Sequence, residues 1–148
     1  MKFQGPKSHI HLIARGLLLH GDNIILCRVK DAEWFFLPGG HIEDGESAKV
    51  ALLRELREEI GEGNYNITSF VGACENIFPL EEGFFQHEMN IVFAIDVPKG
   101  IELKTKEDHI EFISVAKNDL KNYKILPIPL KDGIIEWLRS NNPFFKEI

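Results

Sequence analysis

The chain is poor in cysteine and has no long apolar run. Only two of its 148 residues are cysteines, Cys27 and Cys74, and each lies inside an apolar stretch. We expect both to be buried small hydrophobic residues rather than a disulfide or a reactive thiol. No stretch approaches the ~18 apolar residues of a membrane-spanning helix, and the first residues do not have the form of a signal peptide. The sequence therefore predicts a cytoplasmic protein with no membrane partner.

Basic residues are also fewer than acidic residues. Lysine and arginine number 17 against 23 acidic residues, which gives a formal net charge of -6. That balance argues against a nucleic-acid partner, because a nucleic-acid surface normally carries a basic stripe. No repeat, low-complexity tract or linker interrupts the sequence, and its length suits one domain spanning residues 1–148.

Apolar runs on both sides of one amphipathic stretch predict strands and helices in alternation. Strands are expected at 10–20, 23–30, 33–37, 66–78, 85–97 and 109–115, and helices at 48–60 and from about 129 onwards. Ser47 is the expected N-cap of the first helix, and Gly61 is its expected end. This order predicts an α/β fold with a mixed sheet that is covered on both faces.

The first predicted helix has two different sides. Four aliphatic residues at helical spacing are expected to face the core: Val50, Leu53, Leu56 and Ile60. Three glutamates crowd another side, with two alanines one or two turns earlier: Glu55, Glu58, Glu59, Ala48 and Ala51. Like charges at this spacing destabilise a helix by about a few tenths of a kcal/mol per pair. The crowding indicates that a positive group is missing from the sequence.

The spacing of these acids resembles a known signature. Gly40 is followed after five residues by Glu46 and, after seven more, by Arg54-Glu-Leu-Arg-Glu-Glu-Ile-Gly61. This pattern resembles the Nudix box of the Nudix hydrolase family at every fixed position but the last, where Glu62 replaces an aliphatic residue. The resemblance covers 23 of 148 residues. It implies a MutT-like Nudix fold, an α/β/α sandwich with a mixed β-sheet.

Clustered carboxylates suit a hard divalent cation. Mg²⁺ and Mn²⁺ prefer oxygen ligands, and a bound ion would turn the repulsion among the glutamates into attraction. Arg54 lies four residues before Glu58, where a charge-assisted hydrogen bond would orient a carboxylate. The resemblance implies a Mg²⁺ or Mn²⁺ cofactor held by the backbone of Gly39 and the side chains of Glu55, Glu58 and Glu59, with Glu46 supporting them directly or through water.

The implied reaction is hydrolysis of a pyrophosphate bond in a nucleoside diphosphate linked to another group. We expect a small-molecule nucleotide substrate, a modified or unmodified nucleoside triphosphate, with ADP-ribose or a related nucleotide sugar as the alternative. Glu58 and Glu55 are the first candidates for the general base, and Arg54 completes the catalytic set. Later acids are further candidates: Glu88, Glu107 and Glu111. A non-catalytic nucleotide sensor is the alternative of another class, and both monomer and homodimer remain open.

Several residues outside the box are candidates for substrate contact. Arg15 lies in an apolar strand, where a substrate phosphate is one possible partner. Phe35 precedes the glycine turn and is a candidate for stacking on a base, although Phe35 and Phe36 point in opposite directions along a strand and one of them belongs in the core. His9 and His11 share a strand face, where we expect exposed histidines rather than a metal pair.

Overall fold

The computed structural model describes residues 9–98, 100, 102–105 and 107–148. Within them the chain forms seven strands and two α-helices. Their bounds are β1 Ile10–His20, β2 Asn23–Val29, β3 Gly39–His41, α1 Ala48–Glu59, β4 Asn66–Pro79, β5 Phe85–Asp96, β6 Ile110–Ala116, α2 Ile128–Ser140 and β7 Phe144–Glu147. Short 3₁₀ turns occupy Glu81–Gly83 and Lys117–Asn122. Neither α-helix, at 12 and 13 residues, has the length and apolar character needed to span a membrane.

The strands form one mixed sheet in the order β6-β2-β1-β5-β4-β7, with β3 added beside β1. β1 is parallel to β5 and antiparallel to both β2 and β3. The last part of β1, Leu18–His20, pairs with β2, whereas Ile13–Arg15 pair with β3. Two different strands therefore share one edge of β1, and the sheet divides next to Arg15.

Each face of the sheet is covered by one helix. Successive residues of β1 point to opposite faces, so that Leu17 packs in the cluster that contains α2 and Leu18 in the cluster that contains α1. Ile24 and Ile25 of β2 divide in the same way. This arrangement confirms the predicted α/β/α sandwich. The two cysteines are buried and free, as expected.

Helix α1 buries Leu56 and, at its C-cap, Ile60, as predicted, but its core-facing side is centred closer to Ala51 and Leu52 than expected. Its buried residues are Ala51, Leu52 and Leu56, whereas Val50, predicted to face the core, is 56% exposed. The small side chain of Ala51 lets the helix approach the sheet closely, and this orientation turns the neighbouring glutamates toward β3. The predicted N-cap is confirmed, because the Ser47 hydroxyl accepts a hydrogen bond from the Val50 N–H at 3.2 Å.

Two predictions about strands need correction. The segment 33–37 is not a strand and makes only isolated bridges through Phe35 and Phe36. The strand begins after Pro38 instead, because Gly39 and its neighbours pair with β1. β7 was not predicted, since it depends on tertiary contact: a side-chain carbon on Gly72 or Gly133 would overlap Phe144 of that strand.

Candidate active site

Two glycines bring β3 into direct contact with the acids of α1. Gly40 has no room for a side chain, because an added Cβ would overlap the Glu55 carboxylate. Gly39 has a φ of 144°, a conformation that favours glycine, and its backbone lies close enough to Glu59 to lower the pKa of that carboxyl group. The Gly39-Gly40 pair thus lets two carboxylates of the helix reach the backbone of the strand.

Arg54 is the main cationic partner of these acids. Its Nε and Nη2 atoms donate to the two carboxylate oxygens of Glu46, at 2.8 and 2.9 Å. Its Nη1 donates to Glu55 at 3.0 Å and lies 3.5 Å from Glu58. Nη2 also donates to the backbone carbonyl of His41 at 3.1 Å. The predicted approach to Glu58 is present, but the shortest and bidentate contact is the one with Glu46.

This pairing fixes the charge of Glu46. The hydrogen bonds from Arg54, followed by one from the Glu43 N–H, lower the pKa of Glu46 to about 2. The same contact raises the pKa of Arg54 above its ordinary value. Both groups are therefore ionised at neutral pH.

The pKa of Glu59 is shifted in the opposite direction to that of Glu46. The Glu59 side chain is half-buried, and its Oε2 atom is shielded from solvent with no hydrogen-bond partner. Burial and the nearby charge of Glu55 raise its pKa to about 8, against the opposing effect of the Gly39 N–H. A buried carboxylate oxygen without a partner, beside a second carboxylate, is a group that a divalent cation would satisfy.

The donor set fits Mg²⁺ or Mn²⁺, which bind carboxylate and carbonyl oxygens. Among the residues that the structure describes, no three His, Cys, Asp or Glu side chains already converge as a closed metal cage. The reason is that Arg54 engages Glu46 and Glu55, while the Glu58 side chain is 60% exposed. The metal-ligand roles of Gly39, Glu46, Glu55, Glu58 and Glu59 stay predictions.

Arg15 lies between the acids and the opposite face of the sheet. Its Nε donates to the Asn90 side chain at 3.2 Å, and its Nη1 donates to the Leu37 carbonyl at 3.1 Å. Burial lowers the pKa of Arg15, and the charges of Glu59 and Glu88 oppose that effect. An arginine remains charged in such surroundings, so Arg15 presents a half-buried positive charge beside the acids.

A cleft adjoins Arg15 on the α2 side of the sheet. One part, of about 300 Å³, is lined by Arg15, Trp34, Phe36 and Glu88, with Leu126 and Pro127. A second part of about 500 Å³ shares four of those residues and is also lined by residues of β4, α2 and the C-terminus: Asn76, Phe78, Ile128 and Ile148. The wall at Leu126 and Pro127 was not predicted, because only tertiary packing brings that segment to the site.

Two predicted substrate contacts lie elsewhere. Phe35 is only 8% exposed and packs edge-on against Tyr123 in the core, so Phe36 and not Phe35 faces the cleft. Glu111 forms a 2.7 Å ion pair with Arg28 on the neighbouring strand, away from the acids. Residues alternate along β6, so Glu111 lies on the face of that strand opposite Ile110 and Phe112, which line the space beside Glu59.

Glu107 is the later acid that reaches the helix glutamates. A small enclosed space of about 50 Å³ is lined by Glu59 and Glu107, together with Cys27, Phe36, Thr105, Ile110 and Phe112. The charge of Glu107 also contributes to the raised pKa of Glu59. Of the three later acids considered from the sequence, Glu107 thus lies next to the box, Glu88 lines the cleft and Glu111 does neither.

Comparison with known proteins gives the class of enzyme to which this fold and site belong. A family model for the NUDIX domain matches residues 10–138. An ADP-ribose pyrophosphatase of Methanocaldococcus jannaschii is 30% identical over 139 residues, which cover 90% of this chain and 76% of the relative. The chain therefore belongs to the Nudix hydrolase family and is a pyrophosphatase.

Other relatives carry different descriptions. A putative 8-oxo-dGTP diphosphatase of Bacillus subtilis is 33% identical over 78 residues, 53% of this chain and 48% of the relative. The crystal structure of a MutT protein from Bacillus halodurans has a TM-score of 0.75 at 18% identity and covers 93% of this chain and 88% of its own. That structural likeness supports the Nudix fold and carries no information on the substrate.

Proposed function

We propose that this Nudix pyrophosphatase hydrolyses a nucleoside triphosphate to a nucleoside monophosphate and pyrophosphate, with Mg²⁺ or Mn²⁺ as cofactor. The choice of substrate rests on a single observation: the cavities on the two sides of the acids differ in volume. The cleft beside Arg15 offers about 300 Å³ and continues into a further part of about 500 Å³. The space beside Glu59 offers only about 50 Å³. One side suits a nucleoside, and the other suits phosphate better than a second sugar.

Each box residue has a distinct role in this proposal. The Gly39 carbonyl, Glu55 and Glu59 would hold the ions, with Glu46 and Glu58 at the edge of the cluster. Bound divalent ions supply charge neutralisation for the pyrophosphate group and Lewis-acid activation. Glu58 accepts the proton of the attacking water, because its side chain is exposed and Arg54 approaches it only at 3.5 Å. Arg54 positions Glu46 and Glu55 and does not itself need to touch the substrate.

Arg15 and the aromatic residues bind the rest of the nucleotide. The half-buried charge of Arg15 neutralises a phosphate oxygen between the acids and the cleft. The rings of Trp34 and Phe36, with centroids 5.9 Å apart, line the cleft and offer a surface on which a base stacks.

Glu88 is placed to recognise the base. It is the carboxylate that lines both parts of the cleft, and the Asn76 amide contacts one of its oxygens at 3.4 Å. A carboxylate accepts hydrogen bonds and donates none when ionised. It therefore favours a base edge with two neighbouring donors, such as the ring N–H and the 2-amino group of guanine.

The second candidate substrate is ADP-ribose. It is favoured by the Methanocaldococcus jannaschii relative, whose similarity covers 90% of this chain. The larger part of the cleft, which reaches Phe78 and Ile148, would have to accept the terminal sugar in that case.

Turnover of a substrate panel tests the proposal. GTP, ATP, dGTP and ADP-ribose are incubated with the protein in Mg²⁺ and in EDTA, and the nucleoside monophosphate products are quantified by ion-exchange chromatography. We expect Mg²⁺-dependent turnover with a higher kcat/KM for GTP than for ADP-ribose. Glu88→Gln should lower kcat/KM for GTP more than for ATP, since the amide presents one donor where two acceptors are needed. A higher kcat/KM for ADP-ribose would favour the second candidate, and nucleotide binding without any turnover would contradict both.

A further inference from the structure

Two histidines meet beside the active site without taking part in it. His11 of β1 and His41 of β3 lie 3.2 Å apart, measured from Nδ1 of the first ring to Nε2 of the second. The ring centroids are 5.2 Å apart, and the ring planes meet at 73°. His41 follows the Gly39-Gly40 pair directly, but its ring lies on the opposite side of β3 from the Glu55 carboxylate that contacts Gly40.

The two separations fit two imidazoles that share one cation, as well as a bent hydrogen bond between the rings. Zn–N bonds measure about 2.0–2.1 Å, so two nitrogens at tetrahedral positions on one ion are about 3.3 Å apart. The corresponding ring centroids would be about 5.2 Å apart with bonds of that length. Both separations agree with those of His11 and His41. A linear N–H···N hydrogen bond along the two ring axes would give a centroid separation of about 5.5 Å at the observed nitrogen distance.

We propose that His11 and His41 form a second metal site, for a borderline divalent cation such as Zn²⁺, distinct from the carboxylate site on α1. The two sites differ in chemistry, because imidazole nitrogen suits Zn²⁺, Cu²⁺ and Ni²⁺ whereas Mg²⁺ prefers oxygen. Within the described residues no third His, Cys, Asp or Glu completes the group, so water fills the remaining positions.

The site has a direct connection to the active-site backbone. The β1–β3 pairing continues one residue beyond β3, where the Ile42 N–H donates to the Leu12 carbonyl at 2.9 Å. The His41 carbonyl accepts a hydrogen bond from Arg54. A cation bound by His11 and His41 therefore cross-links the two strands that support Gly39 and Arg54. Binding is expected to raise the thermal stability of the chain, since the two rings meet only in the folded state and the ion binds that state more tightly.

Calorimetric titration with Zn²⁺ in the presence of excess Mg²⁺ tests the site. Excess Mg²⁺ competes with Zn²⁺ for the carboxylates, and the histidine variants identify the part of the Zn²⁺ binding that the imidazoles supply. We expect one Zn²⁺ per chain for the wild type, and at least a tenfold weaker affinity for His11→Gln and for His41→Gln. The matched control is His20→Gln, at the other end of the same strand, which should bind Zn²⁺ as the wild type does.

A thermal melt of each protein with and without Zn²⁺ supplies the second readout. The Zn²⁺-induced increase in Tm should appear in the wild type and in His20→Gln and be absent from the other two variants. The increase should persist in Glu59→Gln, which separates this site from the carboxylates. Zn²⁺ affinity and Tm shifts that are unchanged in both His11→Gln and His41→Gln, or no Zn²⁺ binding by the wild type in Mg²⁺, would overturn the proposal and leave the pair as a hydrogen bond.

Discussion

Arg54 and Glu46 are eight residues apart in the chain, and their side chains form a bidentate ion pair at 2.8 and 2.9 Å. This contact ties the polar loop before α1 to the acidic side of the helix. It also occupies Nε and Nη2 of the guanidinium, so that only Nη1 is left to contact Glu55 and Glu58. The arginine of the box is thus primarily the partner of Glu46, and its contacts with the other acids follow from that orientation.

Replacing Glu46 by glutamine should disorganise the cluster without unfolding the chain. The amide keeps the size of the side chain but removes the charge that orients Arg54, which then pairs more closely with Glu55. We expect kcat/KM to fall by about 10–100-fold, with a higher Mg²⁺ concentration needed for half-maximal activity. Glu62→Gln is the matched control, because Glu62 makes only an exposed 3.7 Å contact with Arg57. Equal activity of the two variants would show that the Arg54–Glu46 pair has no part in positioning the site.

Gly40→Ala should abolish activity, because it adds a single carbon atom, the Cβ, next to Glu55. The added Cβ overlaps the Glu55 carboxylate, so either the carboxylate or β3 must move. We expect Mg²⁺ binding by calorimetry to weaken by at least tenfold while circular dichroism remains close to the wild type. Gly45→Ala serves as control: its Cβ meets nothing within 4 Å, although the φ of 79° strains the backbone. Loss of Mg²⁺ binding in both variants would point to a general effect of the loop rather than to Glu55.

Glu59 should make stability depend on pH when no metal is present. Its pKa is about 8 in the folded chain, above the ordinary value of 4.5. The folded state therefore holds a proton that the unfolded state releases, and the free energy of unfolding falls as pH rises from about 5 to 8. We expect a fall on the order of 4 kcal/mol that is absent from Glu59→Gln, measured by urea unfolding in EDTA. If the free energy of unfolding depended on pH in the same way in the wild type and in Glu59→Gln, the raised pKa of Glu59 would be contradicted.

The apparent affinity for Mg²⁺ should show the opposite trend. The ion competes with the proton for the Glu59 carboxylate, so binding should strengthen as pH rises toward 8 and level off above it. Calorimetric titrations with Mg²⁺ at pH 6, 7, 8 and 9 measure this directly. Affinity that does not change across the series would place Glu59 outside the metal site.

Phe35 and Phe36 should respond to substitution in different ways. Phe35 is buried, so Phe35→Ala should lower the free energy of unfolding by about 3–5 kcal/mol. Phe36 lines the cleft, so Phe36→Ala should mainly raise KM for the nucleotide. Urea unfolding and steady-state kinetics on both variants separate the two effects. An unchanged KM in a folded Phe36→Ala protein would exclude stacking on this ring.

The helix and strand features that the sequence predicted correctly depend on residues that are close together in the chain. Ser47 as N-cap, the strand at 10–20 and the strand at 85–97 follow from residue types and spacing within a short window, and the structure has them within a residue or two. Alternation showed that one of Phe35 and Phe36 must be buried, but it could not say which, because the direction of the segment is set by its bridges to Cys27 and Ile125.

What the sequence did not predict depends on distant parts of the chain. Glu107 and Glu111 looked equivalent, and only the pairing of β6 with β2 turns Glu111 toward Arg28. Val50 and Ala51 were assigned to the wrong sides of α1, because the close approach of the helix to β3 selects the smaller side chain for burial. Packing between helices and strands determines these side-chain orientations. The periodicity of a short segment contains no information about that packing.

The most direct test of the central claim is ³¹P NMR of GTP incubated with the protein. In Mg²⁺ the triphosphate resonances should be replaced by those of GMP and pyrophosphate, with no change in EDTA. Glu58→Gln, in which the proposed base is removed from an exposed position, should slow the conversion by at least 100-fold while remaining folded. Unchanged GTP in Mg²⁺, or the release of GDP and phosphate in place of GMP and pyrophosphate, would contradict the account.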